Sequence, residues 1–159
     1  YMCWNIEQET GFGTCVAQCS GTWGEPMCSE PWTTCVFSSL AVLALCLPTC
    51  SPLLQMCEVG EMCLPSQVPN SFVCVPDASG DEGQLFDPCE YANACDPGLV
   101  CTNPELAVEC DPMAPGCCLP FCEIGSDGCP GAGQECLPWY MPGEAPPMLE
   151  NVGICGVPQ

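Results

Sequence analysis

The cysteines of this chain are many and regularly spaced, and their spacing dictates its architecture. Twenty of 159 residues are cysteine, about one in eight, which exceeds the roughly 8–10 % at which composition alone points to a disulfide scaffold. Their positions follow a rule. Cys19, Cys28, Cys35 and Cys46 are separated by 8, 6 and 10 residues; Cys50, Cys57, Cys63 and Cys74 by 6, 5 and 10; Cys122, Cys129, Cys136 and Cys155 by 6, 6 and 18. Each set is entered through C-x3-C, with "VAQ", "LPT" and "LPF" as the joining tripeptides, and each closes on a proline within a few residues: "CLP", "CVP", "CGVP". Recurrence with similar flanks marks an internally repeated module.

Between the third and fourth cysteine of a set the sequence reads as a β-hairpin. "CLPSQVPNSFVCVP" places Pro69, Asn70 and Ser71 between two short extended arms, and "CVFSSLAVLALCLP" does the same around Ser38 and Ser39. The predicted fold class is small and disulfide-rich: tandem knottin- or EGF-like β-hairpin modules with little regular secondary structure. Spacing does not determine connectivity; the pairing adopted within each set is first to third and second to fourth. The ten-residue run "VFSSLAVLAL" is far short of the roughly 20 apolar residues that span a bilayer.

The stretch "VPDASGDEGQLFDP" lacks cysteine and is acidic, with ten cysteines before it and ten after. The expected organisation is therefore a first half at 1–76, an acidic linker at 77–88 and a second half at 89–159. Cys89, Cys95, Cys101, Cys110 and Cys117 make an extra element at the start of the second half, followed by Cys118 in the C-x3-C position that Cys15 and Cys46 also occupy. "YMC", with Cys3, looks like the tail of the same element, so the first half is expected to lack its beginning.

No lysine, arginine or histidine is present, and the formal charge is −20. No side-chain salt bridge can form, and trypsin-like proteases have nothing to cut. Nucleic acid and anionic membrane surfaces are excluded as partners, because both are bound through basic side chains. The surface instead attracts divalent cations or a basic protein. Catalysis is poorly supplied, without an imidazole base, a Schiff-base amine or a guanidinium clamp, and the expectation is a non-enzyme.

For the sulfurs, disulfides compete with metal clusters and redox chemistry. C-x3-C lies within the spacing of structural zinc sites, but ionising the thiols would add negative charge to a chain that has no cation to offset it. The vicinal pair Cys117 and Cys118 reads as two sulfurs with different partners. Pairing of all twenty cysteines implies export, to the outside or to the cell surface.

Two candidate sites remain. Asp77, Ser79 and Asp81 copy the first spacings of an EF-hand loop, but glycine and the closing ligand are misplaced. The alternative to a structural or binding protein is thus a weak extracellular-type calcium site drawn from Asp77, Asp81, Glu82 and Asp87, with no other cofactor expected. "WYMPGEAPPMLENVG" lengthens the last hairpin and offers Trp139, Tyr140, Met141 and Met148 as a recognition loop for a protein partner or for self-assembly.

The segments "VCVPDASGDEGQLFDPCEYANACDPGLVC" and "GCCLPFC" resemble cysteine-rich, secreted or lipoprotein-type proteins of myxobacteria, and the resemblance covers most of the chain. It implies export and tandem cysteine modules. The ribulose-phosphate epimerase label that some of those proteins carry implies a TIM barrel with a His- and Asp-held metal, and a chain of this length without histidine does not support it.

Overall fold

A computed structural model of the protein describes residues 1–4, 14–22, 25–37, 43–68 and 70–159. The expected turn around Ser38 and Ser39, and Pro69 of the following hairpin, lie outside the described residues. Short antiparallel strands account for almost all the regular structure. β1 (Met2–Trp4) pairs with β2 (Thr14–Val16), β3 (Ser20–Thr22) with β4 (Glu25–Met27), and β5 (Thr33–Phe37) with β6 (Ala44–Pro48). β7 (Glu61–Pro65) and β8 (Phe72–Pro76) make another two-stranded sheet. β9 (Leu99–Thr102), β10 (Cys117–Glu123), β11 (Glu135–Pro138) and β12 (Val152–Gly156) form a four-stranded sheet ordered β11-β12-β10-β9. One 3-10 turn, Pro104–Leu106, is the only helical element among the described residues, and none is long and apolar enough to cross a membrane.

The bridges follow the expected rule in all three sets: Cys19–Cys35 and Cys28–Cys46, Cys50–Cys63 and Cys57–Cys74, Cys122–Cys136 and Cys129–Cys155. The extra element is a further set of the same kind. Cys89 bonds Cys101 and Cys95 bonds Cys118, again first to third and second to fourth, while Cys110–Cys117 is an additional bridge inserted between the third and fourth cysteines. Cys15 is also disulfide-bonded, and no free cysteine occurs among the described residues.

Backbone pairing recurs with the same register. In each set, the residue before the first cysteine lies antiparallel to the residue before the fourth: Gln18 opposite Leu45, Thr49 opposite Val73, Pro88 opposite Cys117, and Phe121 opposite Ile154. An entry segment is thus laid along the outer side of each hairpin. β10 shows how one strand serves two hairpins. Its residues Cys117 to Pro120 pair with β9, and Phe121 to Glu123 pair with β12. Pro120 sits at the change of partner, where a residue without a backbone N–H breaks the ladder at no further cost.

Contacts divide the chain into one unit of residues 1–49 and 65–73 and another of residues 50–64 and 74–159. In the first, the buried apolar side chains are Val16, Cys35, Cys46, Leu47, Phe72 and Val73. In the second, Met62, Leu64, Val100, Leu119 and Ile154 form a core with Cys110 and Cys117, flanked by Phe86, Leu106, Phe121, Leu137 and Trp139. No polar side chain is buried in either among the described residues, so the carboxylates stay in water.

This division differs from the expected halves, although no bridge among the described cysteines joins residues 1–76 to residues 89–159. The reason is apolar burial. Met62 and Leu64 of β7 belong to the core built on Leu119, and removing such surface from water stabilises by about 25 cal/mol per Å2. Residues 77–88 are likewise built into the second unit rather than left as a solvated linker. The Ala78 N–H donates to the Asn93 carbonyl, the Phe86 N–H to the Cys118 carbonyl, and the Cys118 N–H to the Asp87 carbonyl. Gly83, at φ 92°, fits where a Cβ would strike the carbonyl oxygen of Ala94.

Candidate functional site

In every four-cysteine set the two disulfides lie beside each other. Three sulfurs fall within 4.8 Å of one another in each of four groups: Cys19, Cys28 and Cys46; Cys50, Cys57 and Cys63; Cys89, Cys95 and Cys118; Cys122, Cys129 and Cys155. The gap between the Cys19 and Cys46 sulfurs is 3.8 Å. These are the donor types and distances of a soft-metal site, yet each group contains one complete disulfide and one sulfur of its neighbour. A metal ligand is a thiolate, which a sulfur in a disulfide is not. Cys117 and Cys118 go to different partners, Cys110 and Cys95.

The acidic segment is shaped by its own turns. The Asp77 carboxylate accepts from the Ser79 N–H at 2.9 Å, and the Asp87 carboxylate accepts from the Gln84 N–H at 3.0 Å. Asp81 and Glu82 are exposed at the tip. The four side chains are not brought together: the close groups of ligand-type atoms among the described residues are the cysteine groups above.

The expected recognition loop splits in two. Trp139 faces inward, packed on the core, with its ring 5.6 Å from that of Phe121 in an edge-to-face arrangement and its backbone N–H donating to the Val152 carbonyl. Tyr140 is partly buried, and burial raises its pKa above the ordinary value. Met141 and Met148 point to solvent.

Met148 also forms one side of a groove of about 550 Å3. Leu53 and Leu54 line it from the turn after Cys50, together with Phe121, Cys122, Glu123 and Asn151. The chain fixes both walls. Gln55 donates to the Pro52 carbonyl at 2.8 Å and accepts from the Cys63 N–H at 3.1 Å, so one side chain holds the Leu53–Leu54 turn onto β7. Opposite, the Met148 N–H donates to Glu150 and the Asn151 carbonyl accepts from the Ile124 N–H. No family model, curated protein or solved structure matches the chain.

Sequence reasoning had placed Met148 in a loop but missed Leu53, Leu54 and Phe121. The signal was available in "SPLLQM", where two leucines sit between turn residues in an interval otherwise too short to bury them.

Proposed function

We propose that the protein is an exported, non-catalytic binding or structural component that works outside the cell or at its surface. The observation that carries this is the side-by-side pair of disulfides in each four-cysteine set. Disulfides at this density are of the extracellular type and do not persist against the reducing pools of the cytosol. They hold together modules whose buried apolar area is small. The non-catalytic part of the reading rests on residue supply. The sequence has no histidine, lysine or arginine to supply an imidazole base, a Schiff-base amine or a guanidinium clamp, and no carboxylate is buried among the described residues. The lack of trypsin sites suits a protein that persists among extracellular proteases.

The test is thiol trapping in the source cells. Cells are fractionated in the presence of an alkylating reagent, and the chain is identified by mass in each fraction. Recovery outside the cytosol with every cysteine oxidised is the expected result. Recovery from the cytosol as an alkylated or zinc-loaded thiol form overturns the reading.

A further inference from the structure

We infer that the groove between the Leu53–Leu54 turn and Met148 binds an apolar side-chain pair carried on a basic segment of another protein. This deepens the binding reading above and rests on it. Leu53, Leu54, Phe121 and Met148 give the groove an apolar lining beside the polar Glu123 and Asn151, and two of these side chains are held out rather than folded away: Leu54 is 67 % exposed and Met148 87 %. Met56 and Val59, which follow in sequence, are exposed as well. Contiguous exposed apolar surface rimmed by polar groups is the usual form of a binding site, and methionine lets such a surface adapt to its ligand.

Charge selects the occupant. Glu123 lines the groove and Glu150 is bonded to the backbone of Met148, with no positive side chain anywhere in the sequence to balance them. A second copy of this chain would bring another −20 to the same surface. An acidic partner meets the same repulsion. A segment with Lys or Arg beside its apolar residues meets the two carboxylates directly, and long-range attraction raises its rate of encounter.

The probe is a synthetic peptide with two adjacent leucines between two pairs of lysines, titrated into the oxidised full chain. Two control peptides replace the lysines by glutamine or the leucines by alanine. Two double variants of the protein are compared: Leu54→Ser with Met148→Ser in the groove, and Val108→Ser with Met113→Ser, exposed apolar positions elsewhere on the same unit. All four positions are at the surface, and intact mass confirms that the bridges are complete in each variant. Loss of affinity by about tenfold or more in the groove variant alone, with both control peptides weaker than the probe, is the expected outcome. Equal binding to the two variants, or equal binding of the glutamine peptide, overturns the inference. So does a concentration-dependent dimer in sedimentation that the groove variant abolishes, since the occupant is then a second copy. None of these results bears on thiol trapping, so the groove and the exported-protein reading fail separately.

Discussion

Cys101 and Cys118 stand directly opposite each other across β9 and β10, and neither is bonded to the other. Cys101 is joined to Cys89 and Cys118 to Cys95. Cys35 and Cys46 repeat the arrangement across β5 and β6, as do Cys136 and Cys155 across β11 and β12. Each hairpin thus offers one sulfur per strand to the loop segment that precedes it, and two parallel staples bind that segment to the hairpin. A bond within the hairpin would only reinforce contacts the ladder already makes.

The consequence is that stability should be local. Replacing Cys122 and Cys136 together by serine opens a loop of 14 residues in sequence separation, for which chain entropy assigns about 3 kcal/mol. The loss is expected in residues 122–136 and the strands beside them. Hydrogen exchange checks this, with amides of β11 losing protection while those of β5 and β6 keep theirs. Uniform loss across the chain would mean that the staples act on one cooperative structure.

The two ends of the loop after Cys136 should behave differently. Trp139 packs on Phe121 and the core, so Trp139→Ala is expected to destabilise by about 2–4 kcal/mol, toward the low side of the range for aromatic truncations because the ring is only partly buried. Met141 is 68 % exposed, and Met141→Ala should change stability by less than about 0.5 kcal/mol. Denaturant midpoints of the oxidised variants measure both. A neutral Trp139→Ala would return that ring to the role of a recognition residue.

What the sequence made legible was the covalent plan. The repeated four-cysteine sets and the hairpins at "CLPSQVPNSFVC" and its counterparts follow from recurring spacing, whereas the first-to-third and second-to-fourth pairing, adopted as an expectation, is established only by the folded chain, where the sulfurs are brought together. The set Cys89, Cys95, Cys101 and Cys118 was hidden by the insertion that carries Cys110 and Cys117, which lengthens its last interval to 16 residues. Non-covalent packing was less legible. Met62, Leu64 and Phe86 join the core around Leu119 from distant parts of the sequence, and no local pattern announces such a contact. The groove escaped for the same reason, since Leu53, Phe121 and Met148 meet only in the folded chain.

Tyr140 gives a signature at high pH. Burial raises its pKa in the folded state above the ordinary value of 10.0. The unfolded chain then releases the phenolic proton first, and the stability this side chain supplies is present below about pH 10 and lost as pH rises through the folded-state value. Tyr140→Phe should flatten that part of the decline. Denaturant midpoints on either side of pH 10, together with the absorbance of tyrosinate, separate the two proteins; identical slopes would show Tyr140 to be as hydrated folded as unfolded.

Salt should stabilise this protein. In most proteins added salt weakens attractive ion pairs as well as repulsive ones, and the net effect varies. Here all twenty charged side chains are negative and none is buried among the described residues, so the pairwise terms between side chains are repulsive. Folding brings these charges closer together, and the compact state bears more of the repulsion than the unfolded chain does. Shortening the screening length from about 10 Å at 0.1 M to about 3 Å at 1 M should therefore raise the thermal midpoint without a maximum. The experiment compares sodium chloride with tetramethylammonium chloride at equal ionic strength, since the bulky cation screens but does not chelate. Equal rises show that repulsion alone is being relieved. A rise with sodium only would show that carboxylates converge on bound cations, and a fall with both would show that exposed charges do not limit the fold.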